Sequence, residues 1–276
     1  MSIPPDGLST SYSTALVTGA SSGIGLAVAR KLLQSGLTVY GTTRNPGREG
    51  LDPDIRWLAL EGSSADGLEA FVEENPELLA NLDILINNAG SSLFGPIDAL
   101  PIPELRKQLQ LLLETPMELT RRVLPGMRQR ARGAIVNVSS LAAVFPLPFM
   151  PSYSSGKAGL SGFTQSLILS ERNTGVVIID FQPADYRTSF NDNMQTHGAQ
   201  TGAAGRAWQR MEDNLKAAPP PEKAAGNLVR RLARGRSGTC RSGGFFQAVV
   251  APLGVRLLPK RLLMWAIARY YHLNGK

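Results

Sequence analysis

Short apolar runs alternate with amphipathic stretches along most of the chain. Runs at 14–17, 37–43, 56–60, 83–86, 134–138 and 176–181 read as strands, the first of them short and buried. Between them, apolar positions recur at helical spacing over 26–33, 66–80, 104–130 and 153–171, the third broken near Pro116 and Pro125. Strands that alternate with helices pair in parallel, so the pattern predicts an α/β fold. This is a doubly wound Rossmann-type sheet with helices on both faces and a C-terminal helical extension. No repeat or linker interrupts it, so residues 1–276 are expected to form a single domain. Residues 184–222 are loop-rich and small-residue-rich, as a substrate lid would be. Residues 257–271 form an apolar helix with basic ends, read first as packing on the fold or a partner, and second as lying on an anionic membrane.

Composition narrows the class. Of 276 residues, 43% are hydrophobic and 18% charged, a globular balance. The net charge of +7 is uneven: residues 223–276 carry 11 Lys/Arg and no acid, which makes them a basic C-terminal extension. The first 222 residues are net acidic, so nucleic-acid binding is not expected of the body. A lone cysteine, Cys240, excludes an internal disulfide and suits a reducing cytoplasm. With only His197 and His272 beside it, no metal site is expected. The first residues lack signal-peptide character, and no apolar run reaches the length of a membrane span.

The chemistry sits where strands end. The first strand runs into Thr18-Gly-Ala-Ser-Ser-Gly-Ile-Gly25 and then a helix, which is the layout of a pyrophosphate cradle. Gly19 serves the tight turn, while Gly23 and Gly25 allow backbone to approach phosphate. The second strand ends in Thr43-Arg44, where NAD-selecting folds carry an acid. A guanidinium there suits a 2′-phosphate and argues for NADP. Ser140 follows the fifth strand. Tyr153 and Lys157, four residues apart, share one helix face. The ammonium is expected to draw the phenol toward a useful acid–base range.

These elements resemble the short-chain dehydrogenase/reductase family, in details such as Gly95-Pro-Ile97 and Val123-Leu-Pro125 its hydroxysteroid and retinol branch. The matching stretches are Thr18–Gly25, Asn87–Gly90, Ser140, Tyr153/Lys157 and Pro183 with Thr188. The resemblance implies that Tyr153 is the general acid in ketone reduction or the base in alcohol oxidation. It implies that Lys157 lowers the pKa of Tyr153 and bonds the nicotinamide ribose, and that Ser140 holds the substrate oxygen. NADP is then expected against Gly19, Ser21, Ser22, Gly23, Ile24, Gly25, Thr43, Arg44, Glu61, Gly62, Asn88, Ala89, Gly90, Tyr153, Lys157, Pro183 and Thr188. A homodimer or homotetramer through the helices near 104–130 and 153–171 is implied as well. The chain departs from the family's pattern at Leu112 (usually Asn), Glu61 (usually Asp), Gly156 (usually Ser) and Ala184 (usually Gly).

The expected function is NADP(H)-dependent interconversion of an apolar ketone and a secondary alcohol. Two other readings use the same residues. One is a non-redox cyclase or lyase with bound cofactor, motivated by Leu112 and Gly156. The other is a cofactor-sensing interaction protein whose basic tail finds a partner or a membrane.

Overall fold

The computed structural model describes residues 6–188, 190, 194–198, 201–244 and 246–273. Its elements in order begin with α1 (Asp6–Ser9), β1 (Thr14–Val17), α2 (Gly23–Gln34), β2 (Thr38–Thr43) and β3 (Arg56–Ala59). Then come α3 (Ala65–Glu74), α4 (Pro76–Asn81), β4 (Ile84–Asn87), β5 (Leu93–Phe94) and α5 (Ile102–Leu109). After a π turn (Gln110–Glu114) follow α6 (Thr115–Gln129), β6 (Gly133–Val138), α7 (Pro151–Ser170) and β7 (Val176–Pro183). The chain continues with β8 (Gln195–Thr196), α8 (Gly202–Lys216), α9 (Pro221–Ala233) and β9 (Gly238–Ser242). A π turn (Phe246–Val250), α10 (Ala251–Leu257) and α11 (Lys260–Tyr270) complete it.

The main sheet is parallel throughout, in the order β3-β2-β1-β4-β6-β7-β9. Successive strand residues point to opposite faces. Ala15 and Val17 join one core layer with α2 and α9, while Leu16 joins the other with α3, α4 and α6. The doubly wound α/β fold is therefore as the alternation predicts. The chain leaves β3 and re-enters the sheet beside β1 at β4. This makes β1/β4 the switch point, where ligands of such sheets bind beyond the strands' C-terminal ends.

The structure corrects the predicted elements in several places. The helix over 66–80 is two helices, because Asn75 precedes Pro76 and leaves helical geometry (φ −126°, ψ 40°). Pro125 does not break the third helix: α6 runs through it, held by buried Val123, Leu124 and Met127. The segment 184–222 is not mainly loop. Alanines read as flexible build α8, with Ala204, Ala207 and Met211 buried on one face. Residues 189, 191–193 and 199–200 of the expected lid lie outside the described residues. The seventh strand, β9, was not expected, since Gly-Thr-Cys-Arg-Ser is a short polar edge with no apolar alternation. The tail helix starts at Lys260, because Pro259 parts it from a short helix, α10, that ends at Leu257. Among the described residues, no helix is long and apolar enough to cross a membrane.

Candidate active site

The loops after β1 and β4 are stitched together. Thr18 Oγ1 accepts hydrogen bonds from the Asn88 and Ala89 N–H groups, each at 2.9 Å. Asn88 Nδ2 donates back to the Thr18 carbonyl at 2.9 Å. Gly19 adopts φ +63°, and a Cβ there would sit 2.9 Å from Ala89 Cα. A Cβ at Gly25 would sit 2.4 Å from Asn88 Nδ2 and the Gly19 carbonyl. Only glycine fits at either position, so at both the backbone itself faces the neighbouring loop. The cap residue of α2, Ser22, makes no side-chain cap bond, so the first-turn N–H groups remain for an anion. The residues present fit a dinucleotide.

From this cradle a cavity of about 910 Å³ extends in two directions. Toward β2 it is lined by Thr43, Arg44, Glu61 and Gly62, and also by Arg48. Arg48 lies in the loop after β2, where a lone arginine gives no periodic signal. Glu61 is engaged by Ser63, whose N–H donates at 3.2 Å and whose hydroxyl donates at 2.5 Å.

Toward β6 and β7 the cavity meets Ser140, Tyr153 and Lys157. Ser140 leaves β6 and caps a short 3₁₀ turn, Leu141–Ala143, by accepting from the Ala142 N–H at 3.0 Å. Pro151 starts α7 at its first position, which places Tyr153 and Lys157 one turn apart. Lys157 is buried and donates to the Val138 carbonyl at 2.7 Å, with its Nζ 5.9 Å from the Tyr153 ring centre. Burial pushes the Lys157 amine down to about 8, and the Asp180 carboxylate below it pulls the other way. Asp180 is fixed by hydrogen bonds from Ser139, Ser161 (2.7 Å) and Gln182 (2.8 Å).

Tyr153 departs from expectation. Burial pushes its phenol up to about 12; the Ser140 hydroxyl beside it lowers the value and Asp185 raises it. Desolvation outweighs the effect expected of Lys157, whose Nζ is turned to a backbone carbonyl and whose own charge is disfavoured by burial.

Leu112 lies in the π turn, fully buried. A Cβ at Gly156 would lie 3.1 Å from both Leu112 Cβ and Cδ1. The two departures from the family's pattern therefore pack against each other, the missing side chain at 156 making room for the leucine.

Beyond Ser140, Tyr153 and Lys157 the wall is largely apolar. Leu147, Met150, Met194, Met211 and Leu215 meet Leu263, Ala266, Ile267, Tyr270 and Tyr271 of α11 and its end. The last five recur at i, i+3, i+4, i+7 and i+8, so the tail helix is a wall of the cavity through its inner face. Asp185, Asn214 and Gln247 are polar exceptions there, and none of the three carries a signal in the sequence. Every residue expected at the site, from Gly19, Ser21, Ser22, Gly23, Ile24 and Gly25 through Asn88, Ala89 and Gly90 to Pro183 and Thr188, lines this one cavity.

The description "short chain dehydrogenase" belongs to the family model that matches residues 13–198. A 3-ketodihydrosphingosine reductase of Bacteroides thetaiotaomicron is 33% identical over 178 residues, which are 64% of this chain and 65% of that protein's length. Dehydrogenase/reductase SDR family member 4 of Bos taurus is 33% identical over 223 residues, 77% of each chain. Among solved structures, a short-chain dehydrogenase from Streptomyces avermitilis superposes with a TM-score of 0.78 at 25% identity, covering 95% of this chain and 98% of that one. One from Sphingobium yanoikuyae in complex with NADPH shares the fold, with a TM-score of 0.68 at 22% identity over 96% of each chain. On sequence match, fold and the cavity that gathers its motifs, the chain belongs to the short-chain dehydrogenase/reductase family of oxidoreductases.

Proposed function

We propose that the protein is an NADP(H)-dependent oxidoreductase that interconverts an apolar ketone and a secondary alcohol. The observation that carries this reading is one cavity in which Ser140, Tyr153 and Lys157 stand between a glycine cradle and an apolar wall. Gly19–Gly25 and Asn88–Gly90 would hold the pyrophosphate and adjoining ribose, with Pro183 and Thr188 toward the nicotinamide. Arg44 and Arg48 give the β2 end two cations for a 2′-phosphate, which favours NADP over NAD. When bound, the cofactor supplies the hydride.

The chain's own residues orient the substrate and move the proton. Ser140 donates a hydrogen bond to the substrate oxygen. Tyr153, whose phenol keeps its proton well above neutral pH, gives that proton to the oxygen as the carbonyl becomes an alcohol. In the reverse direction it takes the proton back. Lys157, anchored on the Val138 carbonyl and supported by Asp180, holds a positive charge beneath the phenol at neutral pH. The apolar wall excludes water and accepts a hydrophobic substrate. Relatives named for keto and oxo substrates agree with the reduction direction. The non-redox reading loses its motive, because Leu112 and Gly156 have a packing explanation.

Assembly into a dimer or tetramer through α6 and α7 belongs to this reading, supported by exposed Met117 and Leu169. So does peripheral membrane contact. While the inner face of α11 lines the cavity, Leu257, Leu262 and Trp265 are exposed beside Lys260 and Arg261.

Replacing Tyr153 with Phe removes the proton donor and keeps the ring. Ketone reduction should fall by about 10²–10⁴-fold while NADPH binding persists. Unchanged turnover in that variant would overturn the mechanism.

A further inference from the structure

The proposed proton transfer does not use Asp185. It follows Pro183-Ala184 at the end of β7 and lines the cavity on the substrate side. Among the described residues its Oδ2 accepts one hydrogen bond, from Gln247 Nε2 at 2.8 Å. Among the described residues no ion pair reaches it. Its charge is felt by the phenols of both Tyr153 and Tyr271, raising each. Tyr153 and Tyr271 line the same cavity as Asp185. Burial pushes its own carboxyl above the usual carboxylate range. Asp185 is half-buried in this largely apolar wall, and a carboxylate there with one neutral donor among the described residues gains from a cation that joins it. A hydroxyl would add a hydrogen bond and leave the charge uncompensated, whereas an ammonium would compensate it. An anionic group on the substrate would be repelled.

We propose that Asp185, oriented by Gln247, binds an ammonium group carried close to the reacting carbonyl. The substrate class is then an amino ketone whose long apolar chain lies along Met150, Met211 and Ile267. This rests on the redox reading above and narrows it.

The test separates the two. With the full chain saturated by NADPH, the affinities of decylamine and decanol are compared by calorimetry at neutral pH. The amine should bind at least tenfold more tightly. In Asp185→Asn that preference should fall below about threefold, with Asp185→Ser as a second variant should the first misfold. NADPH-induced thermal stabilisation reports whether either is folded. Equal affinities in the wild-type chain would overturn the proposal, as would a preference that survives in a folded variant. Neither result depends on turnover. Failure of the redox reading would appear instead as no NADPH oxidation with any ketone, amino or plain.

Discussion

At the scale of single residues, Leu112 and Gly156 are a matched pair. Adding a Cβ at 156 presses on Leu112 from 3.1 Å, so Gly156→Ser should lower stability by about 1–3 kcal/mol. Combining it with Leu112→Ala, which removes the Cδ1 atom that the added side chain meets, should cost less than the two single changes summed. Denaturant unfolding of the two singles and the double measures the coupling. Lys157 has a pKa pushed down to about 8 from 10.5, so its folded form releases the proton more easily than the unfolded chain does. The stability that its neutral amine contributes is complete above about 10.5 and is lost as pH falls through about 8, below which the buried ammonium carries its full cost. Asp180 opposes that shift. Asp180→Asn should therefore move the alkaline limb of the kcat/KM profile to lower pH; an unmoved limb would remove Asp180 from the account. The residues of the cradle and the trio were legible in sequence because each belongs to a spaced motif. Asp185, Arg48 and Gln247 were not, because each is a lone polar residue whose meaning comes from what surrounds it in space.

At the scale of elements, the ends of α6 and α7 are clamped together. Arg128 donates to buried Glu171 through Nε at 2.8 Å and through a second nitrogen at 2.5 Å. These bonds hold the Glu171 carboxyl below the usual carboxylate range. A depressed carboxylate stabilises fully above its unfolded pKa of about 4.3 and loses that stabilisation as pH falls through the folded value. Glu171→Gln should thus cost about 1–3 kcal/mol at neutral pH, and the gap to the wild-type chain should narrow on acidification. A gap independent of pH would contradict the clamp. Five of the six predicted strands were legible because their apolar runs are largely buried in the sheet, while β3, an edge strand with Arg56 and Ala59 exposed, showed itself by Trp57-Leu58. β9 was not, since an edge strand needs little apolar content. α8 was hidden by its small residues. α9 was hidden by the Pro219-Pro-Pro221 run, which reads as a loop although Pro221 opens the helix.

At the scale of the whole molecule, the parallel sheet carries every motif to one edge, and the C-terminal extension closes the far side of the same cavity. That extension has two faces. Composition revealed its charge, but only packing revealed that its inner side is a cavity wall. Its outer face should bind anionic phospholipid vesicles, weaken with added salt, and lose most of that binding in Trp265→Glu. Absence of wild-type sedimentation with such vesicles would remove the membrane contact. The central claim, a cradle built for NADP, is tested most directly by a thermal-shift titration of the full chain with NADPH against NADH. At 100 times its dissociation constant a ligand stabilises by about 2.7 kcal/mol, which for a domain of this size is roughly 5–10 °C. NADPH should give that shift, and NADH a much smaller one at equal concentration. A larger response to NADH, or none to either, would contradict it.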